Sequence, residues 1–251
     1  MCLTKYYYFE HDTAYRRIES EHKANWDALH EGSTSFDDFA SRAFLTQALA
    51  RLRLSPARTD VLEYGCGTGS GACFFAARGF HVDAIDLIPR AVALARRFAA
   101  ERGLEISFAV QDVCALADVP PTKFYDLVVD TYCLQSIVRS EDRAGVYAAV
   151  RARLNPDAHY LISSAMYDPA RRYVDGEDLY DEDTGVVLST LGGEAERHRQ
   201  SEGAVQIEGR WYLPHRRHLK PDALAGELNR AGFHILWQGC AFGGEVICIG
   251  A

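Results

Sequence analysis

The chain has 251 residues, of which 48% are hydrophobic and 25% are charged, and its formal net charge at pH 7 is -8. So large a hydrophobic share excludes a disordered chain, and the excess of acidic side chains disfavours binding along a nucleic-acid backbone. The seven cysteines form no CxxC pair, which argues against a zinc ribbon and a disulfide framework. Because we find neither a signal-peptide pattern nor an apolar run near the roughly 20 residues of a membrane span, we expect a cytoplasmic protein with no membrane partner.

Residues 1–57 carry many polar and aromatic side chains and precede the first predicted strand. Within them, Leu45, Leu49 and Leu52 are spaced by four and three residues, which is typical of one face of a helix. Pro56 follows soon after and ends that helix. We therefore predict a helical N-terminal cap over residues 1–57.

From Asp60 onward, short apolar strands alternate with helical segments. Such an alternation is typical of a parallel sheet whose strands are joined by right-handed crossovers, with helices on both faces. We predict an α/β, doubly wound core over residues 58–166. Its predicted strands are 61–64, 81–86, 106–110, 125–129 and 160–164, and its predicted helices are 91–102, 141–154 and one that ends near Arg78.

The alternation stops after Met166. Residues 167–218 are rich in charge and glycine, and we predict an insertion that contains a hairpin with strands at 205–207 and 211–213. Residues 219–251 then resume the earlier pattern and complete the core. We expect the N-terminal cap and the insertion to fold over the same edge of the sheet and to wall a site there.

A glycine loop, Glu63-Tyr64-Gly65-Cys66-Gly67-Thr68-Gly69, joins the first predicted strand to a helix. Glycines there permit a tight turn and let the backbone approach a ligand. Asp86 ends the second strand, where a carboxylate can accept hydrogen bonds from a ribose diol, and Gln111 and Asp112 end the third. Because ligands bind beyond the carboxyl ends of parallel strands, the three features together predict a nucleoside site. Taken singly, the loop is also compatible with a plain turn, and Asp112 with a helix N-cap.

The loop departs from the dinucleotide-binding pattern, because the sixth position of that pattern is Ser70 instead of glycine. Residues 61–69 closely resemble motif I of class I S-adenosylmethionine-dependent methyltransferases. Asp86 matches the ribose-binding acid of that family, and residues 111–113 resemble its adenine-contacting segment. Residues 125–130 resemble its fourth strand. The resemblance covers residues 58–166 and 219–250.

The resemblance implies a mostly parallel, seven-stranded, doubly wound sheet with one antiparallel strand, and S-adenosylmethionine as the cofactor. It also implies which side chains surround each part of that cofactor. These are Glu63, Gly65 and Gly67 at the methionine end, Asp86 at the ribose, Gln111, Asp112 and Val113 at the adenine, and Asp130 and Thr131 near the sulfonium. DNA and RNA amino-methyltransferases of the family have Asn or Asp followed by Pro-Pro and an aromatic residue at the fourth strand end. This chain has Asp130-Thr131-Tyr132-Cys133, so a nucleic-acid acceptor is not expected.

Methyl transfer from a sulfonium needs mainly alignment and desolvation of the reactants, and it needs a base only where the acceptor carries a proton. Aromatic and ionisable side chains in the cap, in the insertion and at the fourth strand end are candidates for these roles. The candidate catalytic residues are Tyr132, His215 and His218, and the candidate acceptor-binding residues are Tyr15, Trp26, Trp211 and Arg216. Each has a plain alternative, since aromatic side chains also pack lids and histidines also pair with nearby acids. No metal-ligand pattern such as HExxH occurs, and no metal is expected.

The leading hypothesis is an enzyme that methylates nitrogen or oxygen of a small molecule, with an aromatic or a cationic acceptor, and that acts as a monomer or a homodimer. One alternative is a protein of the same fold that binds S-adenosylmethionine without chemistry, as the partner subunit of another enzyme. The other alternative is a nicotinamide-dependent oxidoreductase, against which Ser70 argues.

Overall fold

The computed structural model describes residues 5–30, 35–170, 178–190 and 203–250. Over these ranges the chain folds into α-helices and two β-sheets. The helices are α1 (Tyr8–Ser20), α2 (Arg42–Leu52), α3 (Ser70–Ala76), α4 (Pro89–Glu101), α5 (Ser140–Arg151) and α6 (Pro221–Arg230). The strands are β1 (Asp60–Tyr64), β2 (His81–Asp86), β3 (Ser107–Val110), β4 (Tyr125–Thr131), β5 (Leu154–Ser163), β6 (Asp178–Tyr180), β7 (Val186–Thr190), β8 (Val205–Ile207), β9 (Arg210–Arg217), β10 (Phe233–Gly239) and β11 (Glu245–Gly250). Short 3-10 turns lie at Asp27–His30, Pro56–Arg58, Val113–Asp118, Leu134–Ser136 and Ala241–Gly243.

The larger sheet has seven strands in the order β10-β11-β5-β4-β1-β2-β3. Neighbouring strands pair in parallel, except that β11 is antiparallel to both β5 and β10. β1 lies in the interior of the sheet and four of its five residues are buried, as expected of a strand that is covered on both faces. The predicted doubly wound, mostly parallel sheet with one antiparallel strand is confirmed.

Helices cover both faces of this sheet, because successive residues of a strand point to opposite sides. On one face, Tyr64 of β1 packs in a core with Val146 of α5 and Leu228 of α6. On the other face, Val61 of β1 packs in a core with Phe75 of α3. The sheet therefore separates two hydrophobic layers and leaves its carboxyl edge open for loops.

The start of β5 differs from the prediction. The helix predicted over 141–154 is present, but its predicted end is wrong, since α5 ends at Arg151 and β5 already begins at Leu154. The strand accommodates the proline because its register with β4 is irregular there, and Asp157 has a φ of 61°. Asn155 is fixed by a hydrogen bond of 2.8 Å that its side chain donates to Asp126.

The insertion forms a second, antiparallel sheet with the strand order β6-β7-β9-β8. The predicted hairpin is present as β8 and β9, and its turn residues Glu208 and Gly209 have φ angles of 49° and 80°, which fit a type I′ turn. Arg217 ties this sheet to the core. Its guanidinium donates to the Val138 carbonyl oxygen at 3.0 Å and lies 3.2 Å from the Glu227 carboxylate.

The N-terminal segment lies against α4 and against the turn that follows β4. Ile18 of α1 is fully buried and packs in a cluster with Ile88 and Leu94. Just before α1, the Tyr6 hydroxyl accepts a hydrogen bond of 2.6 Å from the Val138 backbone N–H. Val138 therefore contacts the N-terminal segment as well as the insertion, so both segments reach the carboxyl edge of the larger sheet. None of the described helices is long and apolar enough to cross a membrane.

Candidate functional site

A cleft of about 540 Å³ lies beyond the carboxyl ends of strands β1 to β4. Three parts of the chain wall it: the loops of the core, the N-terminal segment, and β9 with the residue after it. The core contributes Gly65, Cys66, Gly67, Thr68, Ser70, Gly71, Asp86, Leu87, Ile88, Gln111, Asp112, Val113, Thr131, Tyr132, Cys133, Gln135, Ser136, Ile137 and Ala165. The N-terminal segment contributes Tyr7, Glu10, His11, Ala14, Tyr15, Arg17, Asn25, Trp26, Asp27, Leu29, Phe39, Ala40 and Ser41, and the insertion contributes His215, Arg216 and His218.

The glycine loop forms the floor of the cleft. Gly65 and Gly67 have φ angles of 60° and 54°, a region that side chains other than glycine rarely adopt. A Cβ atom on Gly67 would lie 2.9 Å from the hydroxyl oxygen of Tyr15. The loop therefore presents bare backbone to the cleft, with α1 passing closely above it.

Asp86 lies beside this loop and is held by two backbone amides. Its Oδ1 accepts from the Ile88 N–H at 2.8 Å and its Oδ2 accepts from the Gly67 N–H at 2.9 Å. Burial raises the pKa of Asp86 to about 6, even though both amide hydrogen bonds lower it. Each carboxylate oxygen has a second lone-pair site, so Asp86 can still accept two hydrogen bonds from a ligand.

Residues 111–113 line the neighbouring part of the cleft. The Oδ1 of Asp112 accepts from the Cys114 N–H at 2.9 Å and so caps the 3-10 turn Val113–Asp118. The N-cap alternative for Asp112 is thus realised, and it is compatible with a site, because a carboxylate keeps further acceptor positions after making a cap.

Glu63 and Asp130, which the resemblance implies beside the cofactor, do not line the cleft. Both are fully buried. Glu63 accepts from the Thr131 hydroxyl at 2.7 Å, and Asp130 accepts from the Cys133 N–H at 2.7 Å. Burial raises the pKa of Glu63 to about 8 and that of Asp130 to about 7. These two carboxyls fix the strand ends from which Thr131 and Tyr132 reach the cleft.

Tyr132 lines the cleft and combines a large side chain with an unusual backbone conformation. Its φ is 66°, a left-handed conformation that costs roughly 1–2 kcal/mol for a residue with a Cβ. Its N–H donates to the Ser163 carbonyl oxygen at 2.9 Å, which holds the residue in place. Burial raises the pKa of Tyr132 to about 12, so the phenol stays protonated at neutral pH and donates a hydrogen bond more readily than it accepts a proton.

Aromatic rings from the N-terminal segment wall the other half of the cleft. The ring centroids of Tyr15 and Trp26 are 5.5 Å apart, those of Trp26 and His11 are 5.1 Å apart, and those of His11 and Tyr7 are 5.6 Å apart. The acceptor-binding residues predicted from the sequence include Tyr15 and Trp26 but not Tyr7 or His11. The signal was present, because residues 7, 11 and 15 are spaced by four and share one helical face.

Arg216 and His215 meet Glu10 where β9 approaches α1. The Arg216 Nη2 lies 2.8 Å from Glu10 Oε1, and His215 Nδ1 lies 3.5 Å from Glu10 Oε2. Both residues line the cleft, as does the buried His218. Because its guanidinium is bonded to Glu10, Arg216 joins the two walls of the cleft as well as facing it.

Trp211 does not line the cleft, and its predicted place there is wrong. It lies on β9 opposite Gln206, five residues before Arg216. At a rise of about 3.3 Å per residue this distance is roughly 16 Å along the strand, which takes Trp211 beyond the wall. Across the described ranges, no group of three or more His, Cys, Asp or Glu side chains is arranged to hold a metal ion.

Comparison with known proteins identifies the core. Residues 61–157 match the family profile described as "Methyltransferase domain". The chain is 26% identical over 185 residues to a ubiquinone biosynthesis O-methyltransferase of Xylella fastidiosa (strain M23), covering 74% of this chain and 64% of that protein. It is 33% identical over 118 residues to a protein of the same name from Xanthomonas axonopodis pv. citri, covering 47% and 48%. The chain thus spans less than two thirds of the length of these relatives.

Solved structures share the architecture. An S-adenosylmethionine-dependent methyltransferase from Clostridium acetobutylicum has a TM-score of 0.64 at 16% identity, over 94% of this chain and 100% of that one. The structure of DhpI in complex with SAH has a TM-score of 0.59 at 21% identity, over 98% and 97%. At such identities the likeness establishes the fold. The chain therefore carries a methyltransferase domain, and its fold is that of the class I S-adenosylmethionine-dependent methyltransferases.

Proposed function

We propose that this protein is an enzyme that uses S-adenosylmethionine to methylate nitrogen or oxygen of a small-molecule acceptor. The observation that carries the proposal is a single cleft with two unlike halves. One half has the glycine loop with Asp86 and Asp112 at the strand ends, and the other has aromatic rings and ionisable side chains from α1 and β9. A two-substrate reaction between a nucleoside cofactor and a flat acceptor requires such an arrangement.

The residues of the first half fit the cofactor. Gly65 and Gly67 line the cleft with backbone, which suits the methionine end of the cofactor, and the free lone pairs of Asp86 suit the ribose diol. Asp112, with its neighbours 111 and 113, would lie at the adenine. Ser70 Oγ lines the same half, is buried, and has no hydrogen-bond partner, so it has an unmet hydrogen bond to offer a ligand.

When bound, S-adenosylmethionine supplies an activated methyl group whose transfer needs no further cofactor. The chain then has to align the acceptor and exclude water, which can contribute about 7–11 kcal/mol to lowering the barrier. Tyr15 and Trp26 close the cleft from above, and Tyr132 is aimed into it by its left-handed backbone. The buried Glu63 and Asp130 keep that strand end in place.

An acceptor hydroxyl or ammonium group must also lose a proton. We assign this proton to His215, because the Glu10 carboxylate 3.5 Å from its Nδ1 stabilises a positively charged imidazolium. His218 is the other histidine of the cleft wall, and Tyr132 serves as a hydrogen-bond donor. The names of the curated relatives support oxygen as the atom that is methylated.

The proposal is tested by binding and by transfer. Calorimetry should detect one equivalent of S-adenosylhomocysteine per chain, and NAD should not compete with it. Incubation with S-adenosylmethionine tritiated in its methyl group and a panel of phenols and amines should yield a labelled acceptor. Binding of the cofactor without transfer to any acceptor would favour the non-catalytic partner subunit, and tighter binding of NAD would contradict the proposal.

A further inference from the structure

The acceptor half of the cleft is a row of rings. Tyr7, His11, Trp26 and Tyr15 follow one another with centroids 5.6, 5.1 and 5.5 Å apart. Tyr7 and Tyr15 are buried, so these rings have few rotameric alternatives. A flat ring of an acceptor fits beside such a row by offset stacking or edge contact.

The charges of this half are already paired within the chain. The acids of its wall are Glu10 and Asp27, and the arginines are Arg17 and Arg216. The proposed base His215 lies 3.5 Å from Glu10. Arg216 donates to both carboxylate oxygens of Glu10, at 2.8 and 3.1 Å, and Arg17 donates to Glu21 at 3.0 Å. Asp27 accepts from a backbone amide at 2.8 Å. Equal numbers of acids and arginines, each with a partner, give this half little preference for a charged ligand.

His11 differs from its neighbours because its Nε2 is buried and has no hydrogen-bond partner. Burial, and then the positive charge of Arg216, lower the pKa of His11 to about 3. The imidazole is therefore neutral at any working pH. A buried polar atom without a partner is unfavourable, and a ligand that supplies the missing hydrogen bond gains by doing so.

We infer that the neutral imidazole of His11 holds the polar group of an uncharged, hydroxylated aromatic acceptor, and that the cleft prefers such phenols to cationic or anionic acceptors of the same size. The inference deepens the proposed function and rests on it, since it concerns the acceptor half of the same cleft. It decides between the aromatic and the cationic acceptor that the sequence left open.

A small movement brings Nε2 to the acceptor. His11 lies between Tyr7 and Trp26, and the χ2 torsion of a histidine is broad, so its ring can turn within this pair of rings. On this inference the ring turns so that Nε2 faces the cleft when the acceptor binds. His11 is then a specificity-determining residue that touches the acceptor.

The test uses three probes with the same phenol ring, namely 4-ethylphenol, which is neutral, tyramine, which is cationic, and 3-(4-hydroxyphenyl)propanoate, which is anionic. Dissociation constants are measured by calorimetry on the full chain saturated with S-adenosylhomocysteine. We expect 4-ethylphenol to bind at least about tenfold more tightly than either charged probe, because a charged group would lose its hydration without gaining a partner.

Two variants separate the hydrogen bond from the shape of the side chain. His11→Phe keeps a ring and removes Nε2, and should weaken 4-ethylphenol binding by about threefold to tenfold, the usual effect of one neutral hydrogen bond. His11→Gln keeps a polar group at about the same distance from the backbone. Its dissociation constant for 4-ethylphenol should stay within about twofold of the wild-type value. Both variants should bind S-adenosylhomocysteine as the wild type does, which checks that the cofactor half is intact.

The outcomes are distinct. Equal affinities for the three probes, no binding of 4-ethylphenol, or wild-type binding by a folded His11→Phe would overturn the inference while leaving the proposed function in place. Failure of the wild type to bind S-adenosylhomocysteine would overturn the proposed function and the inference with it. If His11→Phe does not fold, two measurements still test the inference. They are the order of the three wild-type affinities and the affinity of His11→Gln for 4-ethylphenol.

Discussion

Asp86 is a single residue with two roles. It accepts hydrogen bonds from the Gly67 and Ile88 amides, and it is proposed to bind the ribose. We expect Asp86→Ala to reduce the affinity for S-adenosylhomocysteine by about tenfold to a hundredfold, because hydrogen bonds to a charged group contribute roughly 1.5–3 kcal/mol. Asp86→Asn keeps one acceptor oxygen and should lose less. Calorimetry measures both affinities. Urea unfolding shows whether the loss of the hydrogen bonds from the Gly67 and Ile88 amides destabilises the fold. Unchanged affinity in a folded Asp86→Ala would remove this residue from the site.

Gly67 tests how closely the cofactor and α1 approach the loop. Gly67→Ala should weaken S-adenosylhomocysteine binding, because φ is 54° and the new Cβ would lie 2.9 Å from the Tyr15 hydroxyl oxygen. Tyr15→Phe removes the hydroxyl oxygen that the new Cβ would approach, so the double variant should recover part of the affinity. Calorimetry on the single and double variants measures the difference. Wild-type binding by Gly67→Ala would be incompatible with a bare-backbone contact.

Tyr132 is expected to act through its hydroxyl. Tyr132→Phe should lower kcat by about threefold to tenfold, the usual effect of one neutral hydrogen bond, and should leave S-adenosylhomocysteine affinity unchanged. The strained backbone stays in this variant, so any loss reports the hydroxyl. Single-turnover transfer of the labelled methyl group measures it. A normal kcat would make Tyr132 a packing residue.

At the scale of the elements, α1 and β9 build the acceptor half together through Glu10 and Arg216. Glu10→Gln and Arg216→Gln should each raise KM for the acceptor, and the double variant should be little worse than either, because each single change already breaks the pair. The effect of Glu10→Gln on stability should stay below about 1 kcal/mol, since the Glu10 side chain is 40% exposed. Additive effects on KM would show that the two walls act independently.

Removing the whole N-terminal segment is a poorer test of the same idea. Tyr6, Tyr7 and Ile18 are buried in the core clusters, so deleting residues 1–30 would expose apolar surface on α4 and near α5. Point variants at the Glu10–Arg216 pair avoid the problem.

The sequence was sufficient for the parts of the fold and site that depend on local signals. The loop at 63–69 and Asp86 lie at strand ends, and the strands themselves follow from runs of apolar residues. The parallel sheet and the position of the loop and Asp86 at its carboxyl edge were therefore predictable. The hairpin of β8 and β9 followed from Gly209. The course of β5 through Pro156 was not predictable, because the neighbouring strand sets its irregular register.

The acceptor half depends on contacts between distant segments, and the sequence predicted it only in part. That Glu63 and Asp130 would be covered, or that Trp211 would lie too far along β9, could not be inferred from residue type. His11 had no motif to mark it, although its spacing from Tyr7 and Tyr15 placed it on the right face. Burial and partner choice are properties of the assembled molecule.

For the whole molecule, three buried carboxyls predict how stability changes with pH. The pKa of Asp86 is raised to about 6, that of Asp130 to about 7 and that of Glu63 to about 8. Their unfolded values are near 4, so the folded chain binds protons more tightly and is stabilised at low pH. That stability is lost as the pH rises through the folded values, by up to about 1.4 kcal/mol per pH unit for each group that titrates. The free energy of unfolding should therefore fall between pH 5 and pH 8.

Glu63→Gln provides the control, because it keeps an acceptor for the Thr131 hydroxyl and removes the titrating group. The variant should flatten the decline between pH 7 and pH 8, where Glu63 dominates. Urea unfolding of the ligand-free protein at several pH values measures both curves. A wild-type stability that rises over this range would contradict the assignment of these carboxyls as buried and protonated.

The central claim is that one cleft binds S-adenosylmethionine beside an aromatic acceptor wall, and a crystal structure with S-adenosylhomocysteine tests it most directly. We expect the ribose hydroxyls within hydrogen-bond distance of Asp86, the adenine beside Asp112, and the methionine end over Gly65 and Gly67. The sulfur should face the half walled by Trp26 and the rest of the N-terminal segment. A ligand bound elsewhere, or a ribose with no contact to Asp86, would contradict the claim.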